Sequence, residues 1–138
     1  MIERINLLIT NHGFGFQSWN DNYGKGIWAC IAPNEFLLDE MKEYTSDGDI
    51  DMINSSDYIE QTNWLPFVTG RDFIEALNEL EKRLASLPSD MLCRGSIWSN
   101  SIHQALENLQ EMRRSNAYDL YGSLPKTFND LLSNPIIY

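Results

Sequence analysis

Ile27-Trp28-Ala29-Cys30-Ile31-Ala32, followed at once by Pro33-Asn34, is the stretch on which the fold turns. It is apolar nearly throughout, rich in branched and aromatic side chains, and stopped by a proline. That reads as a strand whose two faces are both covered, since a strand with one wet face would alternate with polar residues. Immediately upstream, residues 11–26 hold Gly13, Gly15, Gly24 and Gly26 together with Asn11, Asn20, Asp21 and Asn22, which is turn chemistry. Phe14, Phe16 and Trp19 mark a short strand inside it. Further upstream, Ile5-Asn6-Leu7-Leu8-Ile9-Thr10 reads as a first strand. Together these segments predict an antiparallel hairpin or meander in the first quarter of the chain.

Downstream the period changes. Asn34 is placed to cap a helix from Glu35 to about Tyr44, with Phe36, Leu37, Met41 and Tyr44 at helical spacing. Residues 45–56 are polar and acidic and read as a loop. Residues 57–67 are ambiguous: Tyr58, Ile59, Trp64, Leu65 and Phe67 fit a strand held to an edge by Pro66. Thr69 is the expected cap of the next helix, with Asp72 completing a capping-box-like start. Along residues 71–87, Phe73, Ile74, Leu77, Leu80 and Leu84 make the apolar stripe. Glu75, Glu79, Lys82 and Arg83 make the polar one, with Glu79 and Arg83 as an i, i+4 pair. After Pro88, Ser96 or Ser99 starts a further helix with the stripe Trp98, Ile102, Ala105, Leu106, Leu109 and Met112. Arg113 and Arg114 close it, where cations favour the helix dipole. Residues 127–133 are a short helical candidate ended by Asn134-Pro135.

Strands first and helices later indicate an α+β fold: a small antiparallel sheet from the N-terminal part with helices packed on one face. At 138 residues the chain is read as a single domain, 1–138. A domain of that size buries roughly two-thirds of its unfolded surface. Forty-three per cent apolar residues and four tryptophans argue for a real core. No apolar run reaches the roughly 18 residues of a membrane helix. Met1-Ile2-Glu3-Arg4 has no basic region before a long apolar stretch, so no signal peptide is read and a cytoplasmic protein is expected. Cys30 and Cys93 are then expected as separate thiols, and two cysteines with two histidines in no metal-binding spacing argue against zinc.

Charge is the strongest functional clue. From Glu35 to Glu60 there are nine acids and one base, Lys42, a net −8 out of the −10 carried by the whole chain. A field so concentrated repels nucleic acid and attracts cations, basic proteins included. Acids kept only for solubility would be spread along the chain. The expected partner surface is Glu35, Asp39, Glu43, Asp47, Asp49, Asp51 and Asp57, with Trp19 and Tyr23 as aromatic contacts. The aromatics of the glycine-rich loop, Phe14, Phe16, Trp19 and Tyr23, also fit the core, which is the stronger reading for at least two of them.

Other motifs fail on their own chemistry. Asp47, Asp49 and Asp51 are spaced as the start of a calcium loop, but the sixth position is Met52 instead of glycine and the twelfth is Tyr58 instead of glutamate. Gly13-Phe14-Gly15 lacks the third glycine and the following helix of a dinucleotide turn. His12 beside the glycine-rich loop is a candidate general base, yet no nucleophile context accompanies it. His103 falls on a polar helix face. No cofactor, no metal and no enzymatic activity are read from the sequence.

In size, charge, cytoplasmic character and lack of catalytic motifs, the chain resembles the small bacterial immunity proteins that protect cells from secreted toxins, including those of contact-dependent growth inhibition. The resemblance covers the general character of the whole chain and carries over no functional residue. It implies a binding protein that neutralises one cognate basic toxin domain, often a nuclease, by covering its active site or an adjacent surface. No direct nucleic-acid or membrane contact is expected. The alternatives are a phage-type nucleic-acid mimic, a small metal-responsive regulator, and an enzyme built on His12.

Overall fold

The computed structural model describes residues 2–21, 24, 26–43, 45, 57–115 and 124–133. Three strands, β1 (Gly15–Asn20), β2 (Ile27–Ala32) and β3 (Phe67–Gly70), form an antiparallel sheet in the order β1-β2-β3. Among the described residues six α-helices accompany them: α1 (Glu3–His12), α2 (Glu35–Glu43), α3 (residues 57–61), α4 (Phe73–Ala85), α5 (Ile97–Ser115) and α6 (Phe128–Ser133). The fold class is α+β, with helices against a small N-terminal sheet.

β2 is the central strand, and its apolar sequence follows from that place. Trp28, Ala29, Cys30, Ile31 and Ala32 are all buried. Close approaches on either side of the sheet show why. A Cβ at Gly15, opposite Ala32, would lie 2.6 Å from the Leu38 side chain of α2. A Cβ at Gly70, opposite Ile27, would lie 2.4 Å from the Ala76 nitrogen of α4. Ala32 and Ile27 are five residues apart on one strand, so they point to opposite faces. α4 therefore covers one face of the sheet and α2 the other. Beside α2, Trp28 and Trp19 both meet Phe67 edge-on, at 5.0 and 5.9 Å between ring centres.

The segment expected as a first strand, Ile5–Thr10, lies inside helix α1. Ile5 and Leu8 are buried at helical spacing, while Asn6, Ile9 and Thr10 are exposed. Two devices hold the helix. Gly13, at φ 67°, turns the chain so that its own N–H and that of Phe14 return to the Leu8 carbonyl. At the other end Ile2 offers no side-chain cap, and Glu81 of α4 supplies one. Glu81 is only 7% exposed, and its carboxylate accepts from the Arg4 N–H (3.0 Å), the Ile5 N–H (3.1 Å) and the Arg4 guanidinium (3.2 Å). A negative group there also meets the positive end of the helix dipole.

The ambiguous stretch 57–67 divides. Residues 57–61 are helical, 63–66 are irregular, and the strand begins at Phe67, on the edge of the sheet. Tyr58, Ile59, Trp64 and Leu65 are nonetheless buried. Four backbone carbonyls along the stretch are gathered by one side chain. Arg83 Nη1 donates towards the carbonyls of Ile59 (3.1 Å), Leu65 (2.9 Å) and Phe67 (3.1 Å), and Nη2 towards that of Glu60 (3.1 Å). Arg83 is thus turned inward, and the expected pairing of Glu79 goes to Lys82 instead, at 3.1 Å.

Helix starts were partly displaced. Thr69 is a strand residue, and the cap of α4 is Asp72, whose Oδ1 accepts from the Glu75 N–H at 2.8 Å. The stripe of α4 is Ala76, Leu80 and Leu84, with Leu77 half-buried. Phe73 and Ile74, in its first turn, stand 46% and 62% exposed, because no described element covers that turn. Ser96 caps α5 by accepting from the Ser99 N–H at 3.0 Å, and five of its six expected stripe residues are buried, Met112 being half-buried. Asn34 caps α2 through the Leu37 N–H (2.9 Å), and Thr127 caps α6 through the Asp130 N–H (3.0 Å). Buried apolar side chains from Ile5 to Leu131 form one cluster.

Replacing Arg83 by Met leaves four carbonyls without their donor, and is expected to cost about 3 kcal/mol or more. Urea unfolding followed by tryptophan fluorescence measures it. A loss below about 1 kcal/mol would mean that water reaches those carbonyls. Glu81→Gln is expected to cost about 1–2 kcal/mol, with loss of helical signal that scales with α1 alone.

Candidate functional site: an acidic helix face and two grooves

Glu35, Asp39 and Glu43 follow one another at intervals of four on α2, so they form one stripe, and all three are exposed. Phe36 stands beside Glu35 and three residues before Asp39, and is 64% exposed. Its sequence position suggested the buried stripe. The structure buries Leu37 and Met41 as expected, buries Leu38 in place of Phe36, and leaves Phe36 as an exposed apolar group beside the acidic stripe, Tyr44 lying outside the described residues. The only sequence signal of this was local: Phe36-Leu37-Leu38 offers three adjacent apolar residues, which span about 200° of a helix, more than an apolar stripe roughly 100° wide can hide.

Of the other expected contact residues, Asp57 is exposed at the start of α3. Trp19 is half-buried in β1, and its indole N–H donates to Thr45 Oγ1 at 2.7 Å. It is a packing residue with a partly exposed edge. Asp47, Asp49, Asp51 and Tyr23 lie outside the described residues, as does the calcium-loop spacing they carry. Among the described residues no cluster of three or more His, Cys, Asp or Glu side chains is arranged to hold a metal ion. No described helix is long and apolar enough to cross a membrane.

Cys30 and Cys93 are unpaired thiols. Burial in β2 pushes the Cys30 thiol far up, out of thiolate chemistry. Cys93 Sγ lies 3.4 Å from the Asp90 carbonyl. The His12 carbonyl accepts from Arg94, and its imidazole is half-buried at the end of α1. His103 Nε2 lies 3.0 Å from Glu107 Oε1 one turn along α5.

Behind the acidic face, α2 meets α5. Glu40 is half-buried there, and its Oε2 has no hydrogen-bond partner among the described residues. Burial raises its pKa above the usual carboxylate range. His103 and Arg114 oppose the rise, and Glu107 and Glu43 add to it.

Two grooves flank these elements. One, of about 420 Å³, runs beside the edge strand β3 and mixes both signs of charge: Glu60 and Glu79 with Lys82 and Arg83. The other, of about 400 Å³, lies between the starts of α2 and α5 and is lined by Asn34, Arg94, Ser99, Asn100 and His103 among others, with no carboxylate among the described residues of its wall.

Comparison with protein-family models, with curated proteins and with solved structures finds no match. The arrangement of side chains therefore carries the functional argument.

Glu40 gives a pH prediction. Its pKa is raised in the folded state, so the folded protein binds that proton more tightly than the unfolded chain. Its contribution to stability is then most favourable below the unfolded carboxylate value and is lost as pH rises through the raised one. Glu40→Gln is expected to be more stable than the natural protein at pH 7, and level with it near pH 4. The gain should stay below about 1 kcal/mol, because the group is partly solvated. Melting curves at the two pH values measure the difference.

Proposed function

We propose that this protein is an acidic binding protein that neutralises a basic partner, in the manner of an immunity protein inhibiting a cognate toxin domain such as a nuclease. The observation that carries the reading is Phe36: 64% exposed, on a helix whose outer stripe is Glu35, Asp39 and Glu43. Opposite charge speeds encounter and fixes orientation. An aromatic anchor inside a charged rim supplies the apolar burial that slows dissociation. Covering a phenylalanine returns roughly 2 kcal/mol, about the cost of leaving it in water.

A basic cleft that holds phosphates suits such a surface. The carboxylates of α2 occupy the place of the nucleic-acid backbone, and Phe36 enters an apolar recess beside it. The concentration of acids between Glu35 and Glu60 supports this reading over a mimic with carboxylates along its whole length.

The test is affinity capture from the native cell at low and high salt, with the natural protein, Phe36→Ala, and a Glu35→Lys/Asp39→Lys/Glu43→Lys triple variant side by side. A basic partner held at low salt and released at high salt is the expected capture. Phe36→Ala should weaken it by roughly 30-fold or more, mainly through faster dissociation. Charge reversal should slow association and flatten its salt dependence. Unchanged rates in both variants would remove α2 from the interface. Reversal at Asp47, Asp49 and Asp51 then asks the same of the rest of the acidic segment.

A further inference from the structure

The sheet has two edges, and the fold treats them differently. At β3 the edge is partly closed: Arg83 donates to the Phe67 carbonyl, and the Phe67 N–H turns back to Leu65. β1 is paired with β2 along all six of its residues, Gly15 to Asn20, in unbroken register. Antiparallel pairs alternate between those that exchange hydrogen bonds and those whose groups point away. The Asp21 N–H donates to the Gly26 carbonyl, one step beyond the Asn20–Ile27 pair, so by alternation Trp19, Gln17 and Gly15 face β2. The Ile31 N–H, opposite Phe16, donates the other way, to Pro66. The N–H and C=O groups of Phe16, Ser18 and Asn20 therefore point outward. None of them makes a hydrogen bond among the described residues.

Native edge strands are usually guarded by a charge, a proline, a bulge or very short length, any of which stops another strand from adding. Gly15-Phe16-Gln17-Ser18-Trp19-Asn20 has no such guard. Its outward donors and acceptors, in register, fit one extended strand. The surroundings of the edge select which strand. Gly15, Gln17 and Trp19 share the face on which α2 packs, where a Cβ at Gly15 would meet Leu38. Glu35 and Asp39 stand within a turn of Leu38, on the exposed side of the helix. α2 carries Glu35, Asp39, Glu40 and Glu43 against one base, Lys42. A strand laid along β1 runs beside that helix and packs on the half-buried Gln17 and Trp19. A second copy of the chain would bring a further −10 to the same edge, whereas a basic strand compensates the charge.

We propose that the free edge of β1 takes an extended strand of the basic partner into the sheet, with Lys or Arg at alternate positions on the α2 side. Main-chain hydrogen bonds supply the affinity, and the acidic helix supplies the selection. The inference rests on the protein-binding reading and gives that partner a contact distinct from Phe36.

The experiment is an amide NMR titration of the isolated protein at low salt with two capped hexapeptides, one alternating Lys and Val, the other alternating Glu and Val. The lysine peptide is expected to give saturable shifts at Phe16, Ser18 and Asn20, with slowed hydrogen exchange at the same N–H groups. The glutamate peptide should bind at least about tenfold more weakly. Ser18→Pro removes an outward N–H, which an edge strand tolerates, and should weaken the lysine peptide at least about tenfold while the spectrum stays dispersed. If that variant unfolds, hydrogen exchange along β1 in the natural protein decides alone. No saturable shift along β1, equal affinity for the two peptides, or shifts confined to α2 overturns the proposal. So does broadening of the β1 amides with protein concentration alone, which would make a second copy the occupant. Failure here leaves the outer face of α2 to its own test by capture with Phe36→Ala. Peptide binding along β1, with unchanged capture rates in the α2 variants, keeps the strand site and removes that face.

Discussion

Arg83 holds the centre of the molecule together. A segment that is neither helix nor strand, residues 63–66, carries Trp64 and Leu65 into the core, and buried irregular backbone is affordable only if its carbonyls find donors. The guanidinium of Arg83 donates to Leu65 within it and to Ile59, Glu60 and Phe67 on either side, while the Trp98 indole and the Ile31 N–H serve Trp64 and Pro66. Burial pulls its pKa down to about 10, which still leaves it charged at neutral pH. Once that segment is placed, Trp64 accepts from the Trp98 indole through its carbonyl (2.8 Å), and α5 is docked. The Trp64 indole and the Tyr58 hydroxyl both donate to the Pro125 carbonyl, which fixes the approach to α6.

The same economy recurs around the rim. Glu81 caps a helix to which it does not belong, and Arg94 ties together the end of α1 and the start of α2 through three carbonyls. All four tryptophan indoles have acceptors: Asp21, Thr45, Pro125 and Trp64. Large aromatic side chains therefore act as both filling and tether. Short local elements are oriented by a few long-range polar contacts, and those of Arg94 reach the residue before the cap of α2.

Charge is segregated by the fold as well as by the sequence. α2 presents Glu35, Asp39 and Glu43 outward, and the groove at its N-terminal end presents Arg94, Asn34 and the start of α5. One helix thus borders an acidic face and a donor-lined recess. Glu40 sits between them, with one oxygen turned into the seam with α5.

Local order was legible in the chain. The apolar run Ile27–Ala32, the caps Asn34 and Ser96, the stripe from Trp98 to Met112 and the short helix after Thr127 are written in neighbouring residues, because capping and periodicity act over a turn or two. The carboxylate stripe of α2 follows from the same spacing. What the tertiary structure alone decided depends on partners far away. Ile5–Thr10 has the composition of a strand, yet it is helical with Glu81, more than 70 residues on, capping its start. Arg83 reads as a surface residue and becomes the internal donor. Phe36 reads as core and stands in solvent, and the donors of the groove come together from the start of α2, the loop before α5 and α5 itself. Each of those outcomes rests on a hydrogen bond or a covering surface supplied from another part of the chain, which no local pattern encodes.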